Sequence, residues 1–111
     1  MVRLTVLYNL PEGTDENEFL RWRLGPHQAS NASRPGVLYT DFARIDEGWP
    51  EGTVPGHRFM TTVDWPDWES FRAAFYEPAA QAKLREDVKR ISDYVYYVSE
   101  ILISEGSITG E

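Results

Sequence analysis

The first 27 residues, MVRLTVLYNLPEGTDENEFLRWRLGPH, constrain the fold more than any other stretch of the chain. Residues Arg3 to Asn9 place Leu4, Val6 and Tyr8 on one face and Thr5 and Leu7 on the other, the period-two pattern of a strand. Pro11, Gly13 and Thr14 break it. Asp15 followed by Glu18 reads as a helix N-cap with a carboxylate in the first turn, where it suits the helix dipole. Phe19, Leu20, Trp22 and Leu24 give that helix a side to bury, and Gly25-Pro26 is expected to end or kink it just before His27.

The same reading continues along the chain. Val37 to Ile45 and His57 to Trp65 are strands, separated by an Asp46 to Gly56 loop rich in Gly and Pro whose length suits a lid or rim. Pro66 is expected at the first position of a helix carrying Trp68, Phe71, Ala74 and Phe75. Pro78 interrupts it, and a second helical piece carries Ala80, Leu84, Val88 and Ile91, with Glu86 facing Arg90. Tyr94 to Ile103 is a last strand.

This β-α-β-β-α-β order predicts an α+β, ferredoxin-like fold: a four-stranded antiparallel sheet with helices on one face. A single domain over residues 1–104 is expected, with 105–111 as a flexible tail. The uncovered face would carry apolar and aromatic groups in either phase, Tyr94, Tyr96 and Val98 or Val95, Tyr97 and Ile101. A monomer rarely exposes such a surface, so a homodimer closing two sheets into an α+β barrel is expected.

Composition removes several function classes. With no cysteine there is no disulfide, thiol nucleophile or cysteine metal site, and a reducing cytoplasm fits. A net charge of −7 disfavours a nucleic-acid partner, because that binding rests on Lys and Arg neutralising phosphates. Neither a membrane-spanning run nor a basic amphipathic stretch is present, so no membrane partner is expected. There is no Gly-rich phosphate cradle and no Gly-x-Ser-x-Gly elbow. The 4 Trp, 6 Tyr and 5 Phe suit the wall of a pocket for a small hydrophobic or aromatic molecule.

The run Leu4-Thr5-Val6-Leu7-Tyr8 with Pro11, then Phe19, Trp22, His27 and Pro35-Gly36-Val37, resembles EthD-like proteins of the dimeric α+β barrel superfamily. The resemblance implies a pocket between sheet and helices or inside the barrel. It spans cofactor-free monooxygenases, cyclases, isomerase-like enzymes and haem-degrading enzymes, without choosing among them.

His27 is the candidate catalytic residue, since an imidazole can take a proton near neutral pH; the bland alternative is a helix-end histidine. Tyr8, Tyr39, Tyr94 and Tyr96 can hydrogen-bond a ligand oxygen while their rings form a wall, or are simply sheet residues. Trp22, Asp41, His57 and Met60 complete the candidate ligand-binding set. Two histidines 30 residues apart make no convincing metal site, so neither metal nor cofactor is expected. Three functional readings stand: an enzyme with His27 as general base, a non-catalytic binding or accessory protein of a catabolic pathway, and a haem binder using His27 as axial ligand.

Overall fold

The computed structural model describes residues 1–106; of the expected tail at 105–111, residues 107–111 lie outside the described residues. Four strands, β1 (Val2–Asn9), β2 (Tyr39–Arg44), β3 (Phe59–Trp65) and β4 (Ser92–Glu100), form one antiparallel sheet in the order β2-β3-β1-β4. This is the α+β ferredoxin-like arrangement.

Alternation along β1 decides which face is covered. Val2, Leu4, Val6 and Tyr8 are buried, and they sit with Phe59, Val63, Trp65, Phe71 and Phe19 in one core beneath the helices. Register carries the phase across the sheet: Phe42, Thr61, Val6 and Tyr96 lie side by side in one row on this face. The next row, Ala43, Met60, Leu7 and Val95, faces away from the helices. The ambiguity in β4 is therefore resolved: Tyr94, Tyr96 and Val98 turn to the helix side, and Val95 and Tyr97 to the open side.

The first helical arm begins as its sequence dictates. The Asp15 carboxylate accepts from the backbone N–H groups of Asn17 and Glu18 at 2.9 and 3.2 Å, a cap worth about 1 kcal/mol. Gly25-Pro26 does not end the helix. Helix α1 (Glu16–Trp22) widens into a π-helical turn over Arg23–His27 and continues as α2 (Gln28–Ala32). In an α-helix the Pro26 ring would collide with the carbonyl four residues back, and the wider turn relieves that demand.

The second arm departs from expectation at its start and its end, while Pro78 separates two helical pieces as expected. Asp67, not the residue before Pro66, caps α3 (Trp68–Phe75) by accepting from the Ser70 N–H at 2.7 Å, so Pro66 lies outside the helix. Pro78 opens a new helix, α4 (Pro78–Asp87), behind the Glu77 cap, which accepts from the Ala80 N–H at 2.9 Å. The chain then tightens into a 3-10 turn over Val88–Arg90, which breaks the one-turn spacing between Glu86 and Arg90. Lys89 pairs with Glu86 at 3.2 Å instead, and Arg90 lies over the Trp22 ring at 4.3 Å.

The Asp46–Gly56 loop joins β2 to β3 and is anchored at its base by Arg58, which pairs with Glu16 at 3.0 Å and Asp46 at 3.4 Å. Among the described residues no helix is long and apolar enough to cross a membrane.

Candidate functional site

Between the sheet and the two helical arms is a partly open cavity of about 60 Å³. Its apolar walls include Leu4, Val6 and Val63 from the sheet, Phe19 and Trp22 from α1, and Phe75, Leu84 and Ile91 from the second arm. Its polar groups are Tyr8, Arg23, His27, Asn31, Arg34, Thr61, Asp87 and Tyr96. The volume exceeds the roughly 10–15 Å³ a single water requires and falls short of the roughly 150 Å³ of a cavity that takes benzene, so an aromatic ligand enters only if the mouth yields. The π-helical turn supplies Arg23 and His27 to the cavity lining.

His27 ends the π-helical turn and is held from two sides. Its ring lies 4.4 Å from that of Trp22, and its Nδ1 faces the Asp87 carboxylate at 3.4 Å. That approach lacks hydrogen-bond geometry, leaving Nδ1 and Asp87 Oδ2 buried without a hydrogen bond, although Lys83 Nζ pairs with Oδ2 at 3.3 Å. Burial chiefly pushes the His27 pKa down to about 4; Asp87 opposes the fall, while Arg23, Lys83 and Arg34 add to it. At neutral pH the ring is uncharged and free to act as a base, though burial makes it a weaker one than an exposed imidazole.

Arg23 is the least expected member. It is 1% exposed, donates to Gln28 Oε1 at 2.7 Å and Thr61 Oγ1 at 3.0 Å, and lies 4.2 Å over the Phe42 ring. Burial raises the Tyr8 phenol above its usual value, with Arg23 opposing, and pushes Tyr96 up to about 12. Both tyrosines therefore remain O–H donors at neutral pH.

Four of the nine residues singled out from sequence, Tyr8, Trp22, His27 and Tyr96, meet in this cavity. Tyr94 stacks edge-on to Tyr96 at 5.8 Å but is 49% exposed and does not line the cavity. Tyr39, Asp41 and Met60 lie on the opposite sheet face, where Asp41 accepts from the Thr62 hydroxyl at 2.7 Å. His57 sits before β3, its Nε2 3.1 Å from the Asp93 carbonyl, at the irregularity where β4 leaves β1. Sequence reasoning passed over Arg23, Asn31, Arg34, Thr61 and Asp87. Only Arg23 carried a signal: it falls four residues after Phe19 and four before His27, on the buried side of the helix.

No protein-family model matches the chain, and no curated protein matches it. Solved structures do. An ethyl tert-butyl ether D (EthD) family protein from Bacillus halodurans C-125 is 21% identical with a TM-score of 0.76, over 92% of this chain and 99% of that one. A dimeric ferredoxin-like protein from Thermobifida fusca YX is 17% identical with a TM-score of 0.65, over 90% of each chain. SnoaB, a cofactor-independent oxygenase from Streptomyces nogalater, is 14% identical with a TM-score of 0.69, over 93% of this chain and 94% of that one. At these identities the likeness establishes the fold these proteins share.

Proposed function

We propose that this protein binds a small, largely apolar molecule in the cavity between sheet and helices, and that His27 takes a proton from it in a cofactor-independent reaction of the oxygenase, cyclase or isomerase kind. One observation carries the reading: a neutral, nearly buried imidazole shares a cavity with two protonated phenols and a buried guanidinium. A base, donors for a developing oxyanion and a water-poor apolar wall are what proton abstraction beside a carbonyl or phenol needs. The fold shared with SnoaB adds weight, since that protein is a cofactor-independent oxygenase.

A fragment screen of small aromatic carbonyl compounds and phenols, read by amide NMR shifts, tests the site. Hits are expected to shift resonances around Trp22, His27 and Tyr96; hits confined to the opposite face would overturn the assignment. With a turnover substrate in hand, His27→Gln should keep binding and lower the rate by about 10²–10⁴-fold, the usual worth of a general base. The rival reading, a non-catalytic binding or accessory protein, draws on the absent hydrogen bond between His27 and Asp87, and it predicts that His27→Gln changes neither quantity.

The assembly belongs to the same proposal. The open sheet face carries the apolar row Ala43, Met60, Leu7 and Val95, with Tyr97 58% exposed beside it and Tyr39 39% exposed toward one edge. Arg3 and Asp64 form a bidentate pair across it at 2.8 and 2.9 Å. Two copies joined face to face would cover this row. Light scattering should report a dimer, and Tyr97→Glu should shift it toward monomer with unchanged circular dichroism; a monomeric parent protein would refute the barrel.

A further inference from the structure

Arg23 poses a problem that the fold does not solve by itself. Its guanidinium is buried, yet among the described residues no carboxylate lies within the 4.0 Å of an ion pair. Its partners are neutral: the Gln28 amide, the Thr61 hydroxyl and the Phe42 ring face. Holding an unpaired cation out of water is costly, and a methionine or leucine would fill the space without that cost.

Arg34 repeats the pattern at the same cavity. It is half-buried, and it too has no carboxylate at ion-pairing distance among the described residues. Among the described residues the cavity's only carboxylate is Asp87, engaged by Lys83 at 3.3 Å and faced by His27. Two guanidiniums against one shared carboxylate make the cavity positive in a chain of net charge −7. Such a focused field favours an anion there although the whole molecule repels one.

We infer that the cavity selects a small organic acid, whose carboxylate or ionised hydroxyl oxygen is held by Arg23 with Arg34 as the second cation, while its apolar body lies against Val6, Val63, Leu84 and Ile91. This rests on the cavity being the ligand site and adds the substrate class. Guanidinium N–H groups suit the task because they donate in a rigid fork to paired oxygens, and two of Arg23's five are already committed to Gln28 and Thr61. Burial is the main cause of the low His27 pKa, and the bound anion would offset the smaller part that Arg23 and Arg34 contribute, raising its basicity when ligand is present.

The test compares benzoate with benzamide, its neutral counterpart of nearly the same shape, by NMR titration of the parent protein at pH 7. Benzoate should bind about tenfold tighter or more, the worth of a charge-assisted hydrogen bond, and should raise the His27 titration midpoint where benzamide does not. Arg23→Met should bring the two affinities together. Arg34→Gln, at a half-buried position less exposed to folding failure, should narrow the gap severalfold. Equal affinities in the parent, with shifts at the cavity, would overturn the anion preference and leave the site standing. Shifts elsewhere, or none with either compound, would overturn both. A benzoate preference unchanged in both variants would overturn the assignment to these arginines.

Discussion

Trp65→Ala is expected to cost about 3–5 kcal/mol, the range for emptying a large buried aromatic site. Trp65 is 0% exposed at the end of β3, its ring lies edge-on to Phe71 at 5.2 Å, and its Nε1–H donates to the Pro35 carbonyl at 3.1 Å. Alanine would remove the ring, leave a void beneath α3 and orphan that carbonyl, three losses that add. Gly36 leans on the same ring: it adopts φ +75°, and a Cβ there would stand 3.4 Å from Trp65 Cδ1. The loop leading into β2 therefore loses its support as well. Because domains of this size are stable by only about 5–15 kcal/mol, the variant should unfold early in a urea titration. Trp65→Phe, which keeps most of the ring and loses the hydrogen bond, should cost about 1–2 kcal/mol. A loss below about 1 kcal/mol for alanine would mean that the aromatic cluster collapses around the gap.

The second large effect is acid sensitivity from His27. In the folded protein its pKa falls from an ordinary 6.5 to about 4, burial being the main cause. Between these values the unfolded chain binds a proton that the native site refuses, so stability drops as pH is lowered through this window and is unaffected above it. The full shift corresponds to about 3 kcal/mol at 1.36 kcal/mol per unit. Asp87, Arg23, Lys83 and Arg34 face the same ring, and other carboxylates titrate at the acid end, so the quantity to read is a difference. His27→Gln should lose less stability than the parent between pH 6.5 and 4, the difference between the two curves moving in the variant's favour as acid increases. Parallel curves would show that the imidazole is not held neutral by its surroundings.

The sheet was legible in the sequence where one face only is buried. Val2, Leu4, Val6 and Tyr8 alternate against half-buried neighbours, and that alternation alone places β1. β2 and β4 carry apolar groups on both faces, so their phase was set only by pairing, Phe42 opposite Thr61 and Tyr96 opposite Val6. Asp15 announced its helix because a cap is a local device. Of the two outcomes expected at Pro26, an end or a kink, the helix does not end: the rule that proline stops a helix assumes an α-helix, and the turn here is wider. In the candidate site, Tyr8, Trp22, His27 and Tyr96 are residue types that invite attention wherever they fall. Asp87 lies 60 positions from the His27 it faces, and Thr61 lies 38 from Arg23. Such meetings follow from topology and leave no trace in local spacing.

The stack of Arg90, Trp22 and His27 gives the cavity its own optical signal. The indole has a guanidinium 4.3 Å from its centre and an imidazole ring 4.4 Å away. Excited indole is sensitive to nearby cations, so protonating His27 or displacing either neighbour alters the light that Trp22 emits. Trp65 is sealed in the core, Trp68 lies under Arg72 at 5.1 Å and Trp49 stands 88% exposed on the β2–β3 loop; none of the three lines the cavity, so they supply the background. A ligand entering the cavity as proposed is thus expected to change the emission of the unlabelled protein, with the ring that forms the wall serving as the dye.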